Sequence, residues 1–414
     1  MEFIADFHVH SKYSRATSRD MDVAHIAQWA KLKGITLMGS GDFTHHLWLE
    51  ELKYKLQDLG NGLFKYEDIY FILTAEISSI YSKKGKTYRI HNLILSPSFK
   101  TTDKINATLS RYGNLASDGR PILGLDAAEI ARIVFDIDEN CMVVPGHIWT
   151  PWFSLFGSMS GFDRIQDCFE NQTPKIFALE TGLSSDPAMN WRLSALDRFT
   201  LISNSDSHSP SKIGREANVF NCELSYEAIR EVLKNKDKEK FLYTIEFFPE
   251  EGKYHFDGHR LCGVRLSPQQ TKENKGLCPK CGKPVTVGVM NRVEKLADRP
   301  EGYTPSNAIT FKNLIPFDEI IAQTKGVAAR SVAVERDYRS FIAKFGTEFD
   351  ILIRATPAEL VKGLPKRVAD GVLRMRQGKV NINPGFDGEY GKVSLFDSNE
   401  DPSATKGEEQ LSLF

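Results

Sequence analysis

Seven short apolar runs, at 2–8, 35–42, 69–76, 88–95, 141–147, 176–181 and 200–206, punctuate the first 240 residues. Helix-period stretches, such as 23–33 and 127–135, lie between several of them. Strand–helix alternation implies parallel pairing through crossover helices. Seven such strands predict an α/β fold, a closed or nearly closed barrel one strand short of the eight-stranded type. In a parallel barrel all strand C-terminal ends open on one rim, so side chains far apart in sequence converge there.

The residues at those predicted strand ends are unusual. Histidine is scarce, with 10 in 414 residues, yet six lie beside predicted strand ends before residue 210. Asp6-Phe-His8-Val-His10 places two imidazoles at i and i+2, the same face of a strand. Asp206-Ser-His208 repeats the spacing with an acid and an imidazole. Asp42 ends Leu-Met-Gly-Ser-Gly-Asp, with His45 and His46 just beyond, and Glu76 ends Phe-Ile-Leu-Thr-Ala. His91 interrupts Tyr-Arg-Ile-His-Asn-Leu-Ile-Leu, and His147 closes Met-Val-Val-Pro-Gly-His. Mixed imidazole and carboxylate sets suit Zn²⁺, Mn²⁺ or Fe²⁺. The donors are too many for one tetrahedral site, so two or three ions are expected, an arrangement that activates water against a phosphoester.

The order His8-x-His10, Asp42, Glu76, His91, His147, Asp206-x-His208 resembles the polymerase-and-histidinol-phosphatase (PHP) family of metal-dependent phosphoesterases. That resemblance implies a distorted seven-stranded barrel, usually with three metal ions; Zn, Mn or Mg are the expected ions, and Asp206, His8 and His147 the expected catalytic residues. Two departures stand out. Where the family usually carries an Asp-His doublet, this chain has Asp42-Phe-Thr-His45. Ser14, Arg15 and Ala16 occupy the stretch where another ligand usually follows His-x-His. One metal site is therefore expected to be incomplete or to be completed by His45.

Residues 241–310 change character, with turn residues and few long apolar runs. Cys278-Pro-Lys-Cys281 is a zinc-knuckle half-site, and His259-x-x-Cys262 supplies two further donors, with His255 as a rival for the imidazole. Four such ligands suit a closed tetrahedral zinc. Cys141, Cys168 and Cys222 stand alone and read as buried small side chains. Six cysteines in so long a chain do not form a disulfide scaffold.

The barrel pattern joined to Lys253-Tyr-His-Phe-Asp-Gly-His-Arg260, the Cys-Pro-Lys-Cys-Gly-Lys knuckle, Leu296-Ala-Asp-Arg-Pro300 and Pro384-Gly-Phe-Asp-Gly-Glu-Tyr-Gly-Lys392 resembles the endonuclease Q family. The likeness runs from residue 1 to about 396. It implies a DNA repair endonuclease that nicks 5′ of deaminated bases (uracil, hypoxanthine, xanthine) and at abasic sites. A PHP-type small-molecule phosphatase accounts for the barrel but not for the zinc module. A non-catalytic, clamp-associated DNA-binding protein leaves the nearly complete ligand set unused.

The remaining features concern DNA and partners. From 325 to 379 twelve Lys/Arg stand against six Asp/Glu, while 397–414 carries five acids and one lysine. The net charge of −1 therefore conceals a basic helical region, suited to phosphates, and an acidic tail. Trp149, Trp152 and Phe153 follow His147 and are expected to wall a pocket for an extruded base, with core packing as the competing use. Gln410, Leu411, Leu413 and Phe414 end a polar, acidic stretch and resemble the motif that binds bacterial DNA sliding clamps. The expected divisions are a barrel over 1–240, a zinc-binding module over 241–310, a helical DNA-binding domain over 311–396 and a flexible tail over 397–414. No run of 18 apolar residues is present, and the N-terminus lacks a signal-peptide core, so a cytoplasmic, monomeric protein is expected.

Overall fold

A computed structural model of the chain describes residues 1–397, so the clamp-like motif at 410–414 lies outside the described residues. The barrel is built from β1 (Glu2–Asp6), β2 (Leu37–Gly39), β3 (Ile69–Lys83), β4 (Lys86–Ser96), β5 (Met142–Pro145), β6 (Ala178–Glu180) and β7 (Thr200–Ile202). β1, β2 and β3 pair in parallel, as do β6 and β7. Isolated hydrogen bonds complete the ring where regular ladders stop. The Phe7 N–H donates to Asn204 Oδ1 at 2.9 Å, and the His10 N–H to the Ser207 carbonyl at 2.9 Å. Beyond β5, the Ile148 N–H reaches the Glu180 carbonyl at 3.1 Å.

β4 departs from the all-parallel expectation. It runs antiparallel to both β3 and β5. β3 does not stop at Glu76 but continues to Lys83, turns through Lys84 and Gly85, both at positive φ, and returns as β4. Two residues with φ above zero make the tight turn whose twist matches the flanking strands. Glu76 and His91 thus sit in the middle of a long hairpin and still reach the same rim.

Period-two alternation sorts the side chains. On β3, Phe71, Leu73, Ala75 and Ile77 join the outer core, while Ile72 joins the barrel interior with Leu93 and Leu95 of β4 and Met142 and Val144 of β5. Glu76 shares the parity of Ile72, and His91 that of Leu93. One face therefore buries hydrocarbon low in the barrel and presents ligands at the top. β8 (Ala217–Asn221) pairs antiparallel with β1, and β9 (Phe241–Glu246) antiparallel with β8. Helix α1 (Val23–Lys33), capped by Asp22 and closed by Gly34, covers the outer face. Helix α2 (Tyr226–Asn235) closes the base, where Tyr226, Ile229, Val232 and Leu233 join the interior cluster.

The cysteine-rich module folds as a hairpin, β10 (Asp257–His259) with β11 (Val264–Leu266), backed by α3 (Val289–Leu296). Arg292 of α3 is buried and donates to the Phe156 and Phe162 carbonyls, both at 2.8 Å. Arg299 forks onto Asp197 at 2.7 and 2.5 Å. The module is thereby tied to the aromatic loop that follows His147. Strand β12 (Thr310–Asn313) then joins β9 in parallel, at the edge of the main sheet.

The chain ends in helices α4 (Phe317–Lys325), α5 (Val332–Phe345), α6 (Pro357–Gly363) and α7 (Lys366–Arg376). Thr356 and Glu359 form a reciprocal cap at the start of α6. Lys33 of α1 and Glu348 make a buried ion pair at 2.6 Å, and the Tyr338 hydroxyl donates to the same carboxylate. The stretch 384–391 folds back on the module, with the Phe256 N–H donating to the Gly385 carbonyl at 2.9 Å.

Candidate metal centre

Two ligand groups meet at one carboxylate. His8, His10, Glu76 and Asp206 form the first, and Glu76, His91 and His147 the second. Glu76 Oε2 lies 3.3 Å from His10 Nε2 and 3.6 Å from His8 Nε2. Its Oε1 lies 2.6 Å from His91 Nδ1 and 3.0 Å from His147 Nε2. Asp206 Oδ1 stands 3.1 Å from His10 Nε2 and 3.7 Å from His8 Nε2. His8 Nε2, His10 Nε2 and Asp206 Oδ1 are buried with no hydrogen-bond partner among the described residues. Leaving such atoms unpaired is costly, whereas a cation between them satisfies all three. This donor set fits divalent metal ions, and Glu76, common to both groups, would contribute to two ion positions.

Sharp local backbone brings these groups to the rim. His147 and Asp206 both have positive φ, at 29° and 45°, a region that bulky residues rarely adopt. A Cβ on Gly182 would collide with His147, so only glycine fits beneath that turn.

Electrostatics agree with a cation-seeking site. Burial penalises charge on His8 and His10, yet Glu180 and Glu76 around His8, and Asp42 and Asp206 around His10, hold both imidazoles well above the usual range. Burial also opposes ionisation of Asp206, but the adjacent His10 and His8 imidazoles keep it far below the usual carboxylate range. For His91 burial wins and brings the imidazole down to about 4, so its ring stays neutral and free to ligate.

The other proposed barrel ligands stand outside these two groups. Asp42 lies behind His10, accepting from its Nδ1 at 2.9 Å and from the Ser11 N–H and hydroxyl at 2.6 and 2.7 Å. It orients the imidazole, so that Nε2 faces the ion position. His45 stacks on Tyr13 with ring centres 4.5 Å apart. His208 packs against the His10 ring at 4.5 Å, its Nδ1 donating to the Asp206 carbonyl.

Two residues escaped the sequence reading. Glu180 accepts from His8 Nδ1 at 3.0 Å and from the His147 N–H at 2.8 Å. It ends an apolar run just as Glu76 does, so the same rule would have found it. Arg120, 3.2 Å from Glu76 Oε2, lies in a polar loop that carries no such signal.

A cleft of about 460 Å³ opens above the second group, lined in part by Arg15, Arg120, His147, Trp152, Phe153 and Asp206. Trp152 is 36% exposed there. Trp149 is not in the cleft: it is 1% exposed, packed on Phe156, and donates to Asn190 Oδ1 at 2.8 Å.

The second centre gathers His259, Cys262, Cys278 and Cys281. His255 is absent from it and buried beside Phe256 instead. Burial would raise the Cys278 thiol, but the N–H groups of Lys280 and Cys281 and the His259 imidazole bring it down to about 6. Thiolate is the form that binds metal.

Comparison with known proteins bears on both centres. The crystal structure of the lesion-specific endonuclease PfuEndoQ from Pyrococcus furiosus superposes with a TM-score of 0.86 at 32% identity, covering 95% of each chain. The chain belongs to the endonuclease Q family. A second structure of the family, endonuclease Q with a 27-mer duplex carrying an abasic lesion at its active site, gives 0.85 at 31% identity, over 97% of this chain and 98% of that one. The PHP-type barrel, the metal-dependent nuclease class and the C-terminal helices thus belong to a shared endonuclease Q architecture. YqxK of Bacillus subtilis is 27% identical over 94% of this chain and 98% of its own length. Protein MJ0043 of Methanocaldococcus jannaschii is 36% identical over 269 residues, and the chain spans 33% of that longer protein. The family model for the MJ0043 C-terminal domain matches residues 316–379. Among the described residues no helix is long and apolar enough to cross a membrane.

Proposed function

We propose that this chain is a DNA repair endonuclease that hydrolyses the phosphodiester 5′ of deaminated bases (uracil, hypoxanthine, xanthine) and abasic sites. The observation that carries the reading is the split Glu76 carboxylate, shared by two ligand groups beneath a cleft with aromatic walls. His8, His10 and Asp206 would hold one ion, His91 and His147 the other. Imidazole-rich donors favour Zn over Mg, while the carboxylates also suit Mn. Bound divalent ions would supply an acidified water and shield the phosphate charge. Asp206 and His147 line the cleft and His8 lies directly beneath, so these three are the proposed catalytic residues. Arg120 and Arg15 offer positive charge to the flanking phosphates. Trp152 and Phe153 offer apolar faces to a nucleotide drawn out of the stack. His259, Cys262, Cys278 and Cys281 would hold a structural zinc.

The protein is proposed to act in the cytoplasm as a monomer, with Gln410, Leu411, Leu413 and Phe414 binding a bacterial sliding clamp. Support for the clamp is the motif alone. Deleting 410–414 should abolish clamp capture in a pull-down and leave nicking of short oligonucleotides intact. The core reading is tested by incubating duplexes carrying a single uracil, hypoxanthine or abasic site with the protein. Metal-dependent cleavage 5′ of the lesion supports it, and an intact strand refutes it.

A further inference from the structure

The tip of the cysteine-rich hairpin carries Leu261, 85% exposed although both neighbouring donors, His259 and Cys262, belong to the ligand group. A lone exposed leucine means little. This one is held out. The Arg260 N–H donates to Asp387 Oδ2 at 2.6 Å, and the Gly263 N–H to the Arg260 carbonyl at 2.9 Å. Lys280 Nζ donates to the Cys262 carbonyl at 2.8 Å. The backbone on either side is therefore pinned, and the leucine cannot fold inward without breaking the turn.

The module's sequence around it is basic. Between 259 and 283 six Lys/Arg stand against one acid. Tyr390, 74% exposed, lies on the segment that packs against the module, with Lys253 Nζ 4.5 Å from its ring centre. The tip also connects to the cleft. Trp152 meets Tyr254 edge to face at 5.5 Å. The Tyr254 hydroxyl and the Arg260 guanidinium both approach Gly388, at 3.7 and 3.5 Å from where a Cβ would stand. A rigid apolar point on a basic module, linked through Arg260, Gly388 and Tyr254 to an aromatic cleft wall, matches the side chains that enter a base stack and hold it open.

We propose that Leu261 is a wedge that inserts into the duplex beside the lesion and fills the gap left by the nucleotide drawn into the cleft. The inference rests on the reading of the chain as a lesion endonuclease. It makes Leu261 a residue that selects paired DNA rather than a catalytic one.

Leu261→Ala and Leu261→Met are compared with the unaltered holoprotein on three uracil substrates: a fully paired duplex, the same uracil in an unpaired bubble, and a single strand. Zinc content is measured for each protein. The wedge predicts that Leu261→Ala loses about tenfold or more in nicking of the paired duplex, where unstacking must be driven, and about twofold or less on the other two. Leu261→Met should recover most of the loss. In a separate arm on an Asp206→Asn background, which blocks cleavage and keeps the module's zinc, 2-aminopurine beside the lesion should brighten on binding the protein with Leu261 and stay quenched with Leu261→Ala. Equal nicking of paired duplex by both proteins, or equal loss on all three substrates with zinc retained, overturns the wedge. Absence of nicking by the unaltered protein on every substrate instead sinks the endonuclease reading, and the fluorescence arm then still decides whether Leu261 opens the stack.

Discussion

His8 turns its Nδ1 to Glu180, 3.0 Å from one carboxylate oxygen, and leaves Nε2 buried and unpartnered toward Glu76 and Asp206. The pair settles the ring's orientation, because Nδ1 donates to Glu180 and Nε2 is left facing the ion position, where a metal would displace its proton. Replacing Glu180 with glutamine keeps the shape and removes the charge. Metal affinity of the first ligand group should fall about 10–100-fold. Metal titration of the apoprotein checks this, and unchanged affinity would show that Glu180 only packs.

The cysteine group should respond to pH. A thiol lowered to about 6 favours the folded module fully above the ordinary thiol range and contributes less as pH falls from there towards 6. Protons compete with metal for the same thiolate, so zinc release should rise steeply below about pH 6. Cys278→Ala should lower zinc content and thermal stability while barrel metals stay bound. Elemental analysis at several pH values reads both effects, and full zinc retention in Cys278→Ala would count against the site.

The two tryptophans of the loop after His147 should behave differently. Trp152→Ala should cost roughly 1–3 kcal/mol of lesion-DNA binding, the usual worth of a stacked aromatic, with little change on undamaged duplex. Trp149→Ala should instead cost about 3–5 kcal/mol of folding stability, because it empties a packed core site. Binding isotherms and denaturant melts on both variants separate the roles. Equal losses on damaged and undamaged DNA for Trp152→Ala would assign it to packing.

The buried pair Lys33–Glu348 joins the barrel helix α1 to the C-terminal helices. Lys33→Ala strands a buried carboxylate and should destabilise by about 3–5 kcal/mol. Lys33→Met with Glu348→Gln, which removes both charges, should recover much of that. A chemical denaturation series decides, and equal stability of the single and double variants would mean that the carboxylate is not desolvated.

Much of the centre was legible because strands put i and i+2 on one face and the barrel gathers strand ends. His8, His10, Glu76, His91, His147 and Asp206 meet on that basis. What was not legible has physical reasons. The 77–90 stretch, Ile-Ser-Ser-Ile-Tyr-Ser-Lys-Lys-Gly-Lys-Thr-Tyr-Arg-Ile, leaves the barrel rim as a half-exposed hairpin, so its apolar run looked finished at Glu76 and the reversal of β4 went unseen. Sequence spacing brought Asp42 near His10 but could not say which ring nitrogen it would face. His259 rather than His255 joins the cysteines because it pairs with Val264 across the hairpin that carries Cys262, a relation set by register. Trp149 and Trp152 share composition and context, and only the turn between them sends one inward.

In the proposed function one carboxylate, Glu76, would serve two metal positions at which DNA is cut beside a lesion. The most direct measurement is single-turnover cleavage of a duplex with one abasic site or uracil, by the unaltered protein, Asp206→Asn and His8→Ala, each with and without divalent metal. A nick 5′ of the lesion is expected only with the unaltered protein and metal, with lesion binding largely kept in both variants. Near-unaltered turnover by either variant, or metal-independent cutting, would contradict it.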